Sequence, residues 1–459
     1  MKTIFLTVYD GDVEKVILRS GVLQKLKESN NRIVLLVRGS DRLEYYKKVF
    51  ESDTVIIELL PKAMTRSELL WYHLGWNTIP THSVALRRYT NFKKHKNVIR
   101  YVLEVVSGLL GYMRMWRNFL RLLYRYIPDT YCDLYFEKYK PDLVFTPNMF
   151  SAEDMRVLKA AKKRGIRTIA TAKSWDVLTT KAFTRVKADR IIVFNEFNRN
   201  EAITLGDYDP SRVIVTGFPQ FDGYAKKHES FDRQSFCREM GINPTNRILL
   251  FAVPGTWLAP YSHEILQELD ELIDTGTFSV PVTILARLHP KYTDETEKLT
   301  FRNIIVDRPG TLLVNEKEFS IDMAVSNVYQ WTFTSRDIQH LADSILASDV
   351  VINTASTISL DAAALHKPSI LIAYDGSHTV PYWNSVARVY ERDHYAHVVE
   401  LGATPIAHST KELITEIEYF LTNPQYLAKE RATLMDKVLF KSDGLAATRI
   451  AEAVLTLLS

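Results

Sequence analysis

Polar residues with the chemistry to bind phosphate follow an apolar, strand-like run at Val282–Leu285. Arg287 and His289 come next, and Pro290 prevents the chain from continuing as a helix. In open α/β sheets the carboxyl ends of the strands line the ligand crevice, where a guanidinium and an imidazole can contact phosphate oxygens. The alternative is a loop histidine that merely ends a strand. We favour the interpretation as a phosphate site.

A second candidate site follows the apolar run that ends at Asn353. Its members are Thr354, Ser356, Thr357 and Asp361, in a hydroxyl-rich turn that leads into a predicted helix. A helix N-terminus offers free N–H groups and partial positive charge, which suit a diphosphate. The hydroxyls would add hydrogen bonds, and Asp361 would accept from a sugar or ribose hydroxyl. The alternative is purely structural, with Ser356 as an N-cap and Asp361 as a first-turn acid.

Two further strand-end loops complete this candidate donor site. Gly255 and Thr256 follow a strand-like run, with a glycine where the backbone must approach a ligand. Asp375–Gly376–Ser377 follows another run. Each loop is equally compatible with an ordinary turn.

Candidate residues for proton transfer lie in the first half of the chain. Lys173, Trp175 and Asp176 follow the run Arg167–Thr171, and Asp10 and Asp12 follow the first run, Thr3–Val8. An aromatic ring beside a carboxylate suits a sugar acceptor, so we assign acceptor binding to Trp175 and Lys173. Asp176 is the first choice for the general base, and Asp10 or Asp12 competes for that role. For any single acid, a solvated loop carboxylate is the alternative.

The elements that position these residues alternate between strand-like and helix-like patterns, which predicts βαβ units and parallel sheets. The predicted fold is α/β, with two doubly wound, Rossmann-like domains facing a cleft. At 459 residues the chain is long for one core. We place the acceptor-binding domain at residues 1–220 and the nucleotide-sugar-binding domain at residues 221–459, with the last helix packing on the first domain. Val13–Ser29 and Ser151–Arg164 are predicted as helices.

The composition argues against nucleic-acid-binding, cysteine-metal and membrane-spanning proteins. The net charge of +4 is too small to indicate nucleic-acid binding. The two cysteines, Cys132 and Cys237, lie outside any metal-ligand spacing and are expected to be reduced thiols. We expect no metal or other cofactor, with the nucleotide-sugar as a substrate. No signal peptide and no run of 18 apolar residues is evident, so the expected location is the cytoplasm.

Residues 93–127 combine helical apolar spacing with many arginines, among them Arg114, Arg117 and Arg121. A basic amphipathic segment with interfacial aromatic residues is typical of contact with an anionic membrane surface. The alternative is a buried helix whose arginines face water. The first interpretation predicts peripheral attachment to the inner face of the cell membrane.

Several of these passages resemble a known group of enzymes. The His289–Pro290 pair and the segment from Ser348 to Ile370 resemble GT-B glycosyltransferases of bacterial surface-polysaccharide biosynthesis, including sialyl- and Kdo-transferases. They are similar also to CDP-glycerol glycerophosphotransferases. Val213–Asp222 resembles the passage where such enzymes enter their second lobe, and Lys173–Lys181 resembles a passage of uncharacterised relatives. The resemblance covers roughly residues 140–455 and implies that His289, Ser356 and Thr357 hold the donor phosphates.

The sequence also departs from related patterns. No E-x7-E pair of retaining GT-B enzymes is evident, which leaves the stereochemistry open. The acid pair and the Arg-x-Thr-Glu-Arg-Pro run of UDP-GlcNAc 2-epimerases are missing, which counts against an epimerase.

These features predict a glycosyltransferase that moves a sugar from a nucleotide-sugar donor to a surface-glycan or lipid-linked acceptor. Attack by the acceptor hydroxyl would be assisted by a carboxylate base, and the leaving phosphate would be stabilised by Arg287, His289 and the helix at Ser356. One alternative is transfer of a polyol phosphate from a CDP-alditol on the same fold. Another is a non-catalytic nucleotide-sugar-binding protein of a glycan assembly complex.

Overall fold

A computed structural model describes residues 1–9, 11–61, 63–181, 183–224, 231–290, 294–317, 329–332 and 334–459. These residues form two compact units. Unit 1 comprises Met1–Asp222, Arg392–His394 and Asp443–Ser459, and unit 2 comprises Gly223–Glu391 and Tyr395–Ser442.

Unit 1 is built on a seven-stranded parallel sheet in the order β3-β2-β1-β4-β5-β6-β7. The order reverses between β1 and β4, which makes the sheet doubly wound. Its strands are β1 (Thr3–Val8), β2 (Arg32–Arg38), β3 (Val55–Leu60), β4 (Leu143–Thr146), β5 (Arg167–Thr171), β6 (Arg190–Val193) and β7 (Val213–Val215). The central strands are apolar along nearly their whole length because helices cover both faces of the sheet.

The α-helices of unit 1 connect these strands, and several begin at a hydroxyl N-cap. Ser151, for example, accepts a hydrogen bond from the backbone N–H of Asp154 at the start of α9. The helices are α1 (Gly11–Val13), α2 (Val22–Glu28), α3 (Ser40–Phe50), α4 (Arg66–Thr78), α5 (His82–His95), α6 (Val98–Leu110), α7 (Arg114–Tyr126), α8 (Asp133–Tyr139), α9 (Ala152–Lys163), α10 (Val177–Thr180) and α11 (Glu196–Thr204).

The prediction of one continuous helix at Val13–Ser29 is wrong. The chain forms a π-helical turn at Glu14–Leu18 and then breaks at Gly21, which has a φ of 101° before α2 begins. A left-handed φ suits glycine and interrupts the helical hydrogen-bond ladder. The apolar spacing continues through this break, so the pattern alone does not reveal it.

The last helix of the chain, α19 (Ala446–Leu458), completes the core of unit 1. Ile450 and Val454 are fully buried in the same cluster as Ile4 and Leu6 of β1. Each such side chain contributes roughly 1.5–3 kcal/mol on burial. The Asp222 carboxylate accepts hydrogen bonds from the backbone N–H groups of Ala446 and Ala447, and thereby caps this helix from a distant part of the chain.

Unit 2 contains a second doubly wound parallel sheet, in the order β10-β9-β8-β13-β14-β15, and a separate antiparallel pair, β11 and β12. The strands are β8 (Arg247–Ala252), β9 (Val282–Arg287), β10 (Ile304–Asp307), β11 (Thr311–Lys317), β12 (Tyr329–Thr332), β13 (Val350–Asn353), β14 (Ser369–Ile372) and β15 (Ile406–Ala407). The helices are α12 (Arg233–Met240), α13 (Ser262–Asp274), α14 (Ser335–Ala347), α15 (Ile358–Ala364), α16 (Asp393–Glu400), α17 (Thr410–Thr422) and α18 (Ala428–Leu434). The first two residues of α16 group with unit 1.

The predicted basic segment 93–127 is divided among the end of α5, all of α6 and all of α7. Arg117 and Arg121 do not form an outward basic face, because both are bound to Asp207, at 2.6 Å each. Arg114 remains largely exposed. No helix among the described residues is long and apolar enough to cross a bilayer.

Candidate active site

Four strand-end loops of unit 2 meet along one edge of its sheet. They follow β9, β8, β13 and β14, which are consecutive neighbours in the sheet. The carboxyl ends of parallel strands share one edge, so the sheet brings together the loops of His289, Gly255, Ser356 and Asp375. The strand order reverses between β8 and β13, which is where doubly wound sheets bind ligands.

The loop between β13 and α15 is held in a strained conformation. Ala355 has a φ of 41°, which is uncommon for a residue with a side chain. The Oδ1 atom of fully buried Asn353 accepts from the backbone N–H of Ser356 at 3.1 Å and from the Ser359 hydroxyl at 3.0 Å. These bonds leave the Ser356 and Thr357 side chains half-buried at the sheet edge. Strain of this kind is often found where a loop is shaped for a ligand.

The helix that follows is short. α15 has seven residues and begins after Thr357, whose side chain makes no capping hydrogen bond. Thr354 is buried beneath the loop at 2% exposure. Ser356 Oγ lies 3.5 Å from the backbone nitrogen of Ile358, a weak N-cap contact of the kind that the structural alternative predicted.

Asp361 lies away from solvent and has a protein partner. Its side chain is 3% exposed and accepts a hydrogen bond from the Tyr224 hydroxyl at 2.7 Å. The structure therefore does not support the expectation that Asp361 presents an open carboxylate to a sugar or ribose. Burial and the adjacent carboxylate both raise the pKa of Tyr224, so the phenol stays a donor.

His289 and Arg287 differ although they are two residues apart. His289 and Pro290 are half-buried at the end of β9. Arg287 is 5% exposed and forms an ion pair with Asp307 at 2.6 Å. Burial alone would raise the pKa of Asp307, but hydrogen bonding to His340 and the charge of Arg287 lower it. The Nη1 atom of Arg287 thus binds the β10 carboxylate, and the phosphate contact of Arg287 stays a prediction.

The loop after β8 turns sharply. The carbonyl of buried Gly255 accepts from the backbone N–H of Leu258 at 2.8 Å, and Thr256 is exposed. The start of α13 carries a group that the sequence analysis missed. Tyr261 stacks on His378 with ring centroids 4.0 Å apart, and His378 Nε2 lies 2.8 Å from Glu264. The strand-end position of Gly376, two residues before His378, was the available signal.

In unit 1 the loops after β1 and β5 also come together at the carboxyl edge of the sheet. The ammonium group of Lys173 forms an ion pair with Asp12 at 2.5 Å, and the Asp12 side chain is half-exposed. Two predicted site residues are thus in contact. Asp10, the other candidate in the first loop, lies outside the described residues.

Trp175 and Asp176 lie against the segment Arg392–His394, which comes from far along the chain. The Trp175 ring is 5% exposed and meets the His394 ring edge-on, with centroids 5.0 Å apart. An open stacking platform for a sugar is therefore absent at this buried ring, contrary to expectation. The segment is anchored by Asp393, whose carboxylate accepts from the backbone N–H and the hydroxyl of Ser83 at 2.6 Å each.

The ionisation of Asp176 is set by its surroundings. Burial alone would raise its pKa, but the charge of Lys181, 3.5 Å away, and the nearby His394 hold that pKa well below its usual range. Burial lowers the pKa of His394 to about 4. Asp176 is therefore an ionised carboxylate at neutral pH, next to a neutral imidazole.

A second buried acid lies nearby and was not predicted. Burial raises the pKa of Glu201 to about 8, and the charges of Asp393 and Asp176 act in the same direction. Asn198 donates to Glu201 at 2.9 Å and to the carbonyl of Trp175 at 2.8 Å. These contacts connect the protonated acid to the loop of Asp176. Perturbed carboxyl groups of this kind concentrate at functional sites.

The described residues contain no group of three or more His, Cys, Asp or Glu side chains arranged to hold a metal ion. The expectation that the protein needs no cofactor remains a prediction.

Residues 159–456, well over half of the chain, match the family described as CDP-Glycerol:Poly(glycerophosphate) glycerophosphotransferase. The chain belongs to this family. Among curated proteins, no significant relative of the chain is found. The CDP-glycerol glycerophosphotransferase similarity expected from the sequence is thereby confirmed.

Solved structures show which fold this glycerophosphotransferase family member adopts. A putative UDP-N-acetylglucosamine 2-epimerase from Listeria monocytogenes is similar at 13% identity with a TM-score of 0.56, covering 99% of this chain and 96% of that one. The UDP-GlcNAc 2-epimerase of Neisseria meningitidis is similar at 14% identity and a TM-score of 0.55, covering 99% and 100%. A glycosyltransferase from Rickettsia africae gives 13% identity and a TM-score of 0.50, covering 99% and 98%. The family member has the GT-B fold, as predicted.

Proposed function

We propose that the protein transfers a group from a nucleotide-diphosphate donor to a hydroxyl of a surface polymer or lipid-linked acceptor. The strained loop after β13 carries this proposal, because it is held through the backbone of Ser356 and places half-buried Ser356 and Thr357 at the same sheet edge as His289. Preorganised neutral donors beside an imidazole suit the oxygens of a diphosphate. The residues proposed for the donor lie in unit 2, and the candidate bases, Asp176 and Asp12, lie in unit 1.

We further propose that the donor is a CDP-alditol and that the group transferred is a polyol phosphate. Family membership favours this chemistry over glycosyl transfer, which the sequence analysis placed first. The acceptor oxygen would attack the phosphorus that bears the alditol. A P–O bond forms there, the P–O–P bond breaks, CMP leaves, and the proton of the acceptor passes to a carboxylate.

The ionisation of Asp176 supports phosphoryl transfer. A carboxylate with a strongly lowered pKa is charged at neutral pH but weakly basic. Phosphoryl transfer passes through a loose transition state in which little proton transfer is needed before the new bond forms. A weak base that orients the hydroxyl and then takes its proton meets that requirement. Asp12, held by Lys173, is the second candidate.

The test is a donor panel with product analysis. Purified protein is incubated with CDP-glycerol, CDP-ribitol and a set of nucleotide-sugars, together with a glycan or lipid-linked acceptor, and the released nucleotide is identified. We expect CMP release from a CDP-alditol and none from the nucleotide-sugars. Ser356→Ala should weaken donor binding in calorimetric titration. Activity with nucleotide-sugars alone would contradict the proposed donor class.

Glycosyl transfer is the second candidate, favoured by the resemblance of the His289–Pro290 and Ser356–Thr357 passages to those of surface-glycan glycosyltransferases. It predicts turnover of a nucleotide-sugar in the same panel. Donor binding without turnover of any donor would instead support the non-catalytic interpretation.

A further inference from the structure

The connections that follow β8 and β14 touch each other at the carboxyl edge of the sheet in unit 2. β13 lies between these two strands, so their contact is made beside the loop of Ser356 and Thr357. The approach is close, because a Cβ atom on Gly376 would lie 3.6 Å from Glu264 Oε2 and 3.7 Å from the Cβ atom of Tyr261. Side chains from both connections therefore lie next to the proposed phosphate site.

The imidazole of His378 is held in one orientation by two neighbours. It stacks on the Tyr261 ring, with centroids 4.0 Å apart and planes 23° apart. Its Nε2 atom lies 3.0 and 2.8 Å from the two carboxylate oxygens of Glu264. An ionised carboxylate only accepts hydrogen bonds, so Nε2 carries a proton and Nδ1 of the neutral imidazole is an acceptor. This acceptor has a fixed direction on a side chain that is 41% exposed.

The loop that carries His378 is itself pinned at both ends. The buried carboxylate of Asp375 accepts hydrogen bonds from the Ser385 hydroxyl at 2.6 Å and from the backbone N–H of Val386 at 3.1 Å. The backbone N–H of His378 donates to the carbonyl of Asp375 at 3.1 Å, and Gly376 supplies a left-handed φ of 62° inside this turn. A ligand that binds His378 therefore meets a preorganised loop, which lowers the entropic cost of binding.

Two exposed aromatic rings belong to the same two connections. Trp257 follows β8 and is 44% exposed, and Tyr382 follows β14 and is 41% exposed. Among the described residues of unit 2, Tyr419 is the other large hydrophobic side chain exposed to this extent. Ligand sites commonly combine aromatic walls with a few fixed polar groups. A hydroxylated carbon chain can pack its C–H groups on such rings while its hydroxyls reach a fixed acceptor.

The polar groups of this cluster distinguish between the parts of the proposed donor. The hydroxyls of an alditol are hydrogen-bond donors that match the Nδ1 acceptor of His378. The Watson–Crick edge of cytosine carries one amino donor beside two acceptors, so an acceptor cluster would leave most of that edge unmatched. A diphosphate is negatively charged and is disfavoured beside the Glu264 carboxylate. The cluster therefore suits the alditol better than the nucleotide.

We propose that His378 accepts a hydrogen bond from a hydroxyl of the group that is transferred, and that it thereby selects a donor with a polyol. Glu264 is a positioning residue that fixes the tautomer of His378, and Tyr261 fixes the plane of its ring. The inference rests on the proposed function, because it takes the transferred group to be the alditol of a CDP-alditol.

Calorimetric titration of the full chain with paired ligands tests the role of His378. CDP-glycerol and CDP-ribitol are each compared with CDP, and UDP-N-acetylglucosamine is compared with UDP. We define the donor preference as the affinity for a donor divided by the affinity for its own nucleoside diphosphate. His378→Gln should lower the preference for a CDP-alditol about fivefold, which is the effect of one neutral hydrogen bond, and leave CDP affinity unchanged. The glutamine amide can still donate to Glu264 but lacks the Nδ1 acceptor.

A double-mutant cycle tests the positioning role of Glu264. Glu264→Ala should lower the donor preference by a similar factor, because the imidazole can then rotate and change its tautomer. The double variant Glu264→Ala/His378→Gln should lose no more than His378→Gln alone. Glu268→Ala is the matched control one turn further along α13, where the exposed carboxylate accepts from Thr410 at 2.7 Å. It should bind every ligand as the wild type does, and all the variants should unfold at the wild-type temperature because they alter partly exposed side chains.

The titrations separate this inference from the proposed function. Equal loss of CDP and CDP-alditol affinity in His378→Gln would assign the cluster to the nucleotide and overturn the inference. So would an unchanged preference in both single variants, or an unchanged preference with a raised KM for the acceptor. A wild type that prefers only the nucleotide-sugar would refute the proposed donor class. Loss of that preference in His378→Gln would still place the transferred group at the cluster, and no loss would overturn the inference as well.

Discussion

The two sheet edges that carry the candidate residues differ in chemistry. At the edge of unit 2, the loop of Ser356 and Thr357 is held by a buried amide, Asn353, which accepts from the backbone N–H of Ser356 and from the buried Ser359 hydroxyl. At the edge of unit 1, Asp176, His394 and Glu201 have strongly shifted pKa values. Binding a phosphate requires fixed donors, whereas moving a proton requires titratable groups in a controlled environment. This difference fits the two proposed roles, donor binding for the residues of unit 2 and proton transfer for Asp176 of unit 1.

The largest effect is expected at Asp176. Asp176→Asn should lower turnover by about 10²–10⁴-fold and leave donor affinity nearly constant, because the variant loses the carboxylate that orients the acceptor hydroxyl and then takes its proton. Steady-state kinetics and calorimetric donor titration measure the two quantities. Asp12→Asn is the matched control in the neighbouring loop. If Asp12→Asn loses turnover and Asp176→Asn does not, the base belongs to the first loop.

Glu201 tests the shifted titration at the edge of unit 1. Burial raises the pKa of Glu201 to about 8, so the folded protein binds this proton more tightly than the unfolded chain does. The stability that this proton contributes is fully present below the unfolded-state pKa and is lost as the pH rises towards 8. Glu201→Gln keeps the hydrogen bond from Asn198 and removes the titration. Between about pH 5 and pH 8, the free energy of unfolding of the wild type should therefore fall relative to that of Glu201→Gln, by up to ~1.4 kcal/mol for each pH unit.

Thermal unfolding of wild type and Glu201→Gln across this pH range measures that difference. The exposed Glu28→Gln variant on α2 is the control for the same substitution at the protein surface. Parallel curves for Glu201→Gln and wild type would show that this acid ionises normally, and the contrast between the two edges would weaken.

His289 tests the binding role of unit 2. His289→Ala should weaken donor affinity by roughly ten- to a hundredfold, since a hydrogen bond to a charged group is worth about 1.5–3 kcal/mol. His408→Ala, an exposed histidine after β15, is the matched control and should bind as the wild type does. Equal affinities for both variants in calorimetry would remove His289 from the donor site.

The smallest effect is expected at Tyr224. Tyr224→Phe removes the hydrogen bond to Asp361 and should lower stability by about 1–3 kcal/mol, because it leaves a buried carboxylate without that donor. Donor affinity should change less than twofold if Asp361 is structural. A tenfold loss of donor affinity with unchanged stability would instead show that Asp361 acts in donor binding.

Local sequence patterns predict much of the fold, but they do not predict the burial, partners and ionisation of the site residues. The runs Thr3–Val8 and Arg167–Thr171 predict β1 and β5 to the residue, because buried strands read as short runs rich in apolar and β-branched residues. The partners of Asp361 and Asp176 come from Tyr224 and His394, which lie 137 and 218 positions away. No spacing rule in the sequence connects such pairs. The antiparallel strands β11 and β12 were missed for a related reason, since their pairing is decided by tertiary contacts.

The position of α19 has a consequence for biosynthesis. The strands of unit 1 are complete once the ribosome has passed Val215, yet their apolar face is covered by a helix that ends at Leu458. During translation, the surface that Ile450 and Val454 later cover therefore stays exposed until unit 2 has been synthesised. Such an intermediate exposes apolar surface and is prone to aggregation. We expect the nascent chain to depend on chaperones until α19 emerges.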